Sequence, residues 1–138
     1  MDRQAMALAL QTGCKYGISD CLTNAKNQLS KYPTESPDQD QKLTTYCYGI
    51  QEGDKTDWNK LWSSYKDEIN ANELSSIRDA LACSKDLIIL NEYLEIALGD
   101  DIRVQDKDRV INAVSRTLNG RDVSWNFIIE HWDWFYDM

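Results

Sequence analysis

The residues of this chain whose types could do chemistry are four cysteines and one histidine, His131. Thiolates and imidazoles can bind zinc or act in nucleophilic catalysis, and thiols can also pair as disulfides. No Cys-x-x-Cys motif occurs, and with a single histidine a four-ligand zinc site is the least favoured use of these side chains. Two disulfides in an oxidising compartment, or four buried thiols, are favoured instead. The cysteines are Cys14, Cys21, Cys47 and Cys83.

The spacing of the cysteines favours one of the three pairings that four cysteines permit. Cys14 and Cys21 lie on either side of a short turn around Gly17, so their side chains are expected to be close. Cys47 and Cys83 are then left for each other. The residues alone still allow all four to be free thiols.

His131 could form a nucleophilic pair with a thiol. Such a pair needs a third group that orients the imidazole and donors that stabilise an oxyanion, and neither can be identified in the sequence. With Glu130 beside it, the histidine is expected to be exposed or to make a minor hydrogen bond. We therefore predict no catalytic residue and no metal-binding residue in this chain.

Apolar residues at spacings of three and four predict eight helices, and no stretch alternates with period two, so no strand is expected. The clearest unit spans residues 43–69. In it, one helix passes through Cys47 and is interrupted by Gly53, and Asp54 caps the next helix. The apolar stripe of that second helix is predicted to consist of Trp58, Leu61, Trp62, Tyr65 and Ile69.

Residues with capping side chains locate several other predicted helix starts. Both prolines lie in residues 32–37, which are expected to form a loop, and Asp38 with Gln41 resembles a capping box for the third helix. Asn70 with Glu73 opens the fifth helix and Ser84 the sixth. The seventh is predicted to begin near Gln105 or Asp106 and to run to Gly120, after which Asp122 caps the eighth, with Trp132 on its stripe.

The turns recur at nearly constant intervals. Cys14, Cys47, Cys83 and Leu118 each lie at the predicted end of a helix, at separations of 33, 36 and 35 residues. A Trp-Asn pair also follows two of the turns, at residues 58–59 and 125–126, and all five tryptophans are predicted to be core. This spacing favours an all-α superhelical stack of about four helix pairs, a HEAT- or armadillo-like α-solenoid, over a compact helical bundle.

Composition limits the class of protein. A chain of 138 residues with 42% hydrophobic residues fits a single domain. A formal net charge of −8 opposes nucleic acid binding, which needs clustered basic residues. No apolar run approaches the ~20 residues of a membrane span, and no secretory signal precedes the first helix. The chain is therefore expected to be cytosolic or to be a piece of a longer protein.

Six segments together resemble the C-terminal helical domain of the zinc aminopeptidases of the aminopeptidase N and endoplasmic-reticulum aminopeptidase group. The resemblance extends over nearly the whole chain, and the segments follow in the order that the family has. They are residues 46–50 (Tyr-Cys-Tyr-Gly-Ile), 57–62 (Asp-Trp-Asn-Lys-Leu-Trp), 80–86 (Ala-Leu-Ala-Cys-Ser-Lys-Asp), 90–94 (Leu-Asn-Glu-Tyr-Leu), 102–106 (Ile-Arg-Val-Gln-Asp) and 125–132.

This resemblance implies that residues 1–138 are one part of a larger C-terminal α-helical domain. The parent would be a zinc enzyme that removes single residues from peptide N-termini, with the zinc in a catalytic domain outside this chain. The expected partners are that catalytic domain, peptides as substrates of the parent, and a second copy in a homodimer. The resemblance also implies the pairs Cys14–Cys21 and Cys47–Cys83, and an extracellular, cell-surface or secretory-pathway location.

The family's zinc motif, His-Glu-x-x-His, and its Gly-Ala-Met-Glu-Asn exopeptidase motif are absent from this sequence. The chain alone is therefore predicted to be non-catalytic, walling the peptide cavity and offering an interaction surface. The resemblance implies that Arg103, Gln105 and Asp106 border this cavity, although a capping and salt-bridge cluster also explains these residue types. The alternative function is a stand-alone secreted helical carrier of a small apolar ligand.

Overall fold

The computed structural model describes residues 3–31 and 41–136, and every regular element within these ranges is an α-helix. The all-α prediction is therefore confirmed. The predicted loop at residues 32–37 and the capping residue Asp38 lie outside the described residues. The helices are α1 (Arg3–Lys15), α2 (Ser19–Ser30), α3 (Lys42–Glu52), α4 (Lys55–Asp67), α5 (Ala71–Leu81), α6 (Leu87–Leu98), α7 (Val104–Ser115), α8 (Arg121–Glu130) and the short α9 (Trp132–Tyr136).

The helices pair and stack as the repeat spacing predicts. The first helices of the four pairs form one layer, in which α1 contacts α3, α3 contacts α5, and α5 contacts α7. The second helices α2, α4 and α6 each pack against the first helix of the following pair. Each pair thus buries its apolar stripe on the next pair, which is the arrangement of an α-solenoid.

Large aromatic side chains fill the core where α4, α5 and α6 meet. Trp58 is only 2% exposed, and its indole N–H donates to the carbonyl of Leu81 over 3.0 Å. Its ring stacks on Trp62 at a centroid distance of 6.1 Å and meets Tyr93 edge-on at 5.5 Å. Both geometries are favoured for aromatic pairs, so this contact fixes three helices relative to one another.

Helices α3 and α2 approach each other closely at Gly49. A Cβ atom at this position would lie 2.8 Å from the Cβ of Leu29 and 3.0 Å from the carbonyl oxygen of Ala25. Only glycine permits so short a separation between two helix backbones. This contact joins the first helix pair to the second.

Two predicted helix caps are present as expected. Asp54 and Asp57 form a reciprocal capping box at the start of α4. The side chain of Asn70 accepts hydrogen bonds from the backbone N–H groups of Asn72 and Glu73 at the start of α5. These side chains satisfy backbone donors that a helix start otherwise leaves unpaired.

Other predicted boundaries are wrong by a few residues. Asp86, not Ser84, caps α6, and the Ser84 hydroxyl accepts from the Asp86 backbone N–H instead. Helix α7 already begins at Val104 and ends at Ser115, so Leu118 lies beyond it and is 85% exposed. Helix α4 ends at Asp67, which leaves Ile69 outside its stripe and 94% exposed.

The predicted eighth helix is two helices. Gly120 is the N-cap of α8, and Asp122 lies inside its first turn rather than capping it. The backbone of His131 leaves helical geometry, with φ −110° and ψ 29°, and α9 begins at the next residue. Trp132 follows this break and is exposed. Trp125, inside α8, is exposed as well, so neither tryptophan is the core residue that its spacing predicts.

Both disulfides are present, with Cα–Cα distances of 5.2 Å for Cys14–Cys21 and 5.3 Å for Cys47–Cys83. The first bond joins α1 to α2 within one helix pair. The second joins α3 to Cys83, two residues beyond the C-terminal end of α5, and so links the first helices of two successive pairs. The pairing implied by the resemblance is confirmed.

Removing the Cys47–Cys83 bond is expected to destabilise the chain more than removing Cys14–Cys21. The two bonds close loops of sequence separation 36 and 7, for which loop entropy gives about 4 and about 2 kcal/mol. Urea unfolding of the two double alanine variants measures the difference. Equal losses would contradict the loop-entropy explanation.

Trp58→Phe is expected to lower the free energy of unfolding by about 2–3 kcal/mol, because it removes both buried volume and the hydrogen bond to the Leu81 carbonyl. Trp125→Phe is the matched control, since that ring is 61% exposed; its change should stay within about 0.5 kcal/mol. Thermal or urea unfolding, monitored by far-ultraviolet circular dichroism, compares the two variants. A loss of the same size in both would show that Trp58 is not a core anchor.

Candidate functional site

The segment Arg103–Asp106 comprises the N-cap residue of α7 and the first residues of its first turn. Arg103 is the N-cap residue with an extended backbone, and the Asp106 N–H donates to the Arg103 carbonyl over 2.8 Å. The Arg103 guanidinium lies 2.9 Å from an Asp106 carboxylate oxygen, and its Nε donates to the same carboxylate over 3.0 Å. The first turn of a helix favours a negative charge, so the position of Asp106 also suits the helix dipole.

The three residues of the predicted site differ in exposure. Asp106 is only 1% exposed, whereas Arg103 and Gln105 are largely exposed. Arg103 also borders a cleft of about 270 Å³ that includes Tyr65 and Asp101. Asp106 therefore anchors the segment in the interior, and Arg103 and Gln105 are the two of these three residues that solvent or a ligand can reach.

The Asp106 carboxylate is surrounded by three guanidinium groups. Besides Arg103, Arg78 on α5 lies 3.7 Å away and Arg109 lies 3.5 Å away along α7. Arg78 is itself only 5% exposed. A buried carboxylate and a buried guanidinium are tolerated only as partners, so this pair ties α5 to α7.

Two further polar contacts support the same junction. The buried Tyr93 hydroxyl on α6 donates to the Arg78 carbonyl over 2.9 Å. Desolvation by burial, followed by the nearby Tyr65, raises the pKa of Tyr93 well above its ordinary value, so the hydroxyl keeps its proton. The Lys107 ammonium donates to the carbonyl of Ala97 over 2.9 Å and to that of Gly99. These bonds satisfy carbonyls at the C-terminal end of α6.

Sequence reasoning missed Arg78 and Lys107 as buried charges. The signal was present, because Arg78 lies four residues after Leu74 and three before Leu81, in the apolar stripe of α5. Lys107 likewise lies three residues before Val110, in the stripe of α7. A charged residue at a stripe position indicates a buried ion pair or a hydrogen bond to backbone, since few other environments accept it.

The described residues offer no catalytic centre for metal chemistry. No group of three or more His, Cys, Asp and Glu side chains in residues 3–31 and 41–136 could hold a metal ion. The His131 ring lies 3.1 Å from the Phe127 carbonyl and packs on the Phe127 ring.

Within the part of the chain that the structure describes, no helix combines the length and the apolar character that crossing a bilayer requires.

Asp106→Asn is expected to lower the free energy of unfolding by about 3–5 kcal/mol, because it leaves the buried Arg78 guanidinium without its counter-charge. Asp108→Asn on the exposed side of α7 is the control, with a change expected within about 0.5 kcal/mol. Urea unfolding at neutral pH measures both. If Asp106→Asn were as stable as the control, the ion cluster would not hold α5 to α7.

The whole chain matches a known family. The family model of the ERAP1-like C-terminal domain matches residues 1–138. Aminopeptidase N of Homo sapiens is 31% identical over 137 residues, which is 96% of this chain and 14% of that protein. Aminopeptidase N of Mus musculus is 33% identical over 129 residues, covering 90% of this chain and 13% of that protein. Aminopeptidase Q of Homo sapiens is 31% identical over 124 residues, covering 88% and 12%.

This chain thus spans about one seventh of the length of these relatives, a share of 12–14%. The match is to a helical domain rather than to a whole enzyme, in agreement with the solenoid of paired helices and the two disulfides described above. On the match over residues 1–138, the chain belongs to the family of ERAP1-like C-terminal domains.

Proposed function

We propose that this chain is a non-catalytic part of a zinc aminopeptidase, and that it walls the chamber in which the parent enzyme holds its peptide substrates. The observation on which this rests is the match of the full chain to a C-terminal domain family, together with relatives named as aminopeptidases. The catalytic zinc and the groups that cleave the peptide would belong to a separate catalytic domain of the same parent. That domain is the first partner we propose.

A wall must hold its shape, and the contacts within the solenoid support this role. The Cys47–Cys83 bond links the first helices of the second and third pairs. The Arg78–Asp106 ion pair links those of the third and fourth pairs. Covalent and buried ionic links in one layer restrict sliding of the helices, so side chains at the surface of that layer keep their relative positions.

Within this wall, we assign the peptide-facing role to the segment Arg103–Asp106. The exposed Arg103 and Gln105 offer hydrogen-bond donors, and Gln105 also offers an acceptor, on a turn anchored by the buried Asp106. A rigid base with exposed polar groups suits a surface that selects among peptide side chains.

The outer surface offers a place for partners. Trp125 and Ile129 are more than half exposed and lie four residues apart on α8, so they share one side of that helix. Trp132, at the start of α9, is also more than half exposed. Exposed tryptophans are typical of contact surfaces. We propose this surface for a second copy in a homodimer or for another domain of the parent. The two disulfides favour an extracellular, cell-surface or secretory-pathway location.

The alternative, a carrier of a small apolar ligand, receives no support from the core contacts. A carrier needs a cavity lined by apolar side chains. The position where the largest side chains meet is instead filled by Trp58, Trp62 and Tyr93 in direct ring contact. Saturable, one-to-one binding of an apolar fluorescent probe to the chain would favour the carrier over the wall.

Gln105→Glu in the full parent enzyme is expected to change the preference for the first side chain of the peptide. The added negative charge should raise kcat/KM for peptides with a basic first residue about fivefold relative to peptides with an apolar one. A series of peptides that differ only in the first residue measures the ratio.

Gln28→Glu is the matched control, because Gln28 lies on α2 in the first helix pair. This substitution adds the same charge at a position distant in sequence from Gln105, and it should leave the ratio of kcat/KM values unchanged. If Gln105→Glu also leaves all relative rates unchanged, Gln105 does not border the pocket for the first side chain.

A further inference from the structure

We propose that the cavity between α5 and α7 is a binding site for a small oxyanion, a phosphate or carboxylate headgroup. The cavity has a volume of about 450 Å³. Its lining side chains come at helical spacing from the two facing helices and from the C-cap of α7, and all of them are polar. They are Ser75, Arg78, Asp79, Arg109, Asn112 and Arg116.

Arg78 is the buried side chain of this cavity, and its guanidinium is incompletely paired. Its contacts in the described part of the chain are the Ser75 hydroxyl at 3.4 Å and the Asp106 carboxylate at 3.7 Å. The Nε donor is buried and makes no hydrogen bond there. A buried donor without an acceptor costs about 1–3 kcal/mol, and more when the group is charged. The guanidinium of Arg78 is therefore only partly satisfied by the protein's own acceptors.

The charges around the cavity are not balanced by the protein. The carboxylates that pair with its arginines are Asp106 and Asp79, the latter lying 3.7 Å from Arg116. Three arginines of the lining share these two carboxylates: Arg78, Arg109 and Arg116. Asp106 also pairs with Arg103, which lies outside the cavity. One positive charge therefore remains in excess, in a chain whose formal net charge is −8. A local excess of this sign attracts an anion.

The chemistry of the lining selects an oxyanion rather than another anion. Guanidinium groups donate pairs of parallel hydrogen bonds that match the oxygens of carboxylate and phosphate. Arg109 and Arg116 are largely exposed and can turn toward a ligand, while Arg78 is fixed by burial. Ser75 and Asn112 add a hydroxyl and an amide. A volume of about 450 Å³ exceeds that of a bare ion, so an organic group could accompany the anion.

This site is separate from the proposed contact of Gln105 with peptide, because Gln105 does not line the cavity. Oxyanion binding can therefore be tested without cleavage of any peptide. A failed test of the oxyanion site would not contradict the proposed peptide chamber, and a failed test of the chamber would not contradict the oxyanion site.

Isothermal titration calorimetry of the 138-residue chain with inorganic phosphate, and separately with succinate, tests the proposal at an ionic strength held constant with sodium chloride. We expect saturable binding of one anion per chain for at least one of the two. The double variant Arg109→Gln/Arg116→Gln should bind at least about tenfold more weakly, since each substitution removes a charge-assisted hydrogen bond.

Arg121→Gln is the control, because Arg121 is an exposed arginine on α8 that does not line the cavity. It should bind the anion as the unaltered chain does, and circular dichroism checks that each variant is folded. Tighter binding of phosphate than of succinate would assign a phosphate headgroup, and the reverse order a carboxylate. Heats no larger than those of dilution for both anions, or an affinity that the double variant retains, would overturn the proposal.

Discussion

The structure depends on burial of helices that are too short to be stable alone. None of the described helices exceeds 13 residues, and isolated helices shorter than ~12–15 residues are marginal in water. Each helix must therefore bury its apolar stripe on a neighbour, and the layer formed by α1, α3, α5 and α7 provides that neighbour repeatedly. The helices are therefore stable only when they are stacked, and the turns between them determine the spacing of the stack.

The contacts that join successive helix pairs change in kind along the chain. Between the first and second pairs the backbones meet closely at Gly49, and between the second and third the Cys47–Cys83 bond crosses the layer. Between the third and fourth the link is ionic, through Arg78 and Asp106. The ion pair differs from the glycine contact and the disulfide because one of its donors, the Arg78 Nε, has no hydrogen-bond partner in the described part of the chain. Arg78 of this pair also lines the cavity beside α7.

Much of this architecture could be predicted from residue spacing, because apolar stripes and caps are local signals. The failures occur where a shift of one position matters. Trp58 is the fourth residue of α4 and is buried, whereas Trp125 is the fifth residue of α8 and is exposed. A shift of one position along a helix rotates the direction of the side chain by about 100° around the helix axis. The tryptophan of the same Trp-Asn pair therefore faces the core in α4 and solvent in α8. The site was harder to predict, since Arg78 meets Asp106 only after α5 packs on α7.

The ion cluster gives the turn into α7 a property that a purely apolar junction would lack. An apolar contact in place of Arg78 and Asp106 could be as stable or more so, because desolvating two charges is costly. A carboxylate that pairs with guanidinium groups on two helices and on the turn itself instead fixes the direction from which each helix approaches. The exposed Arg103 and Gln105 are then presented from a turn of defined geometry. The cluster is therefore better explained by the positioning of these side chains than by stability alone.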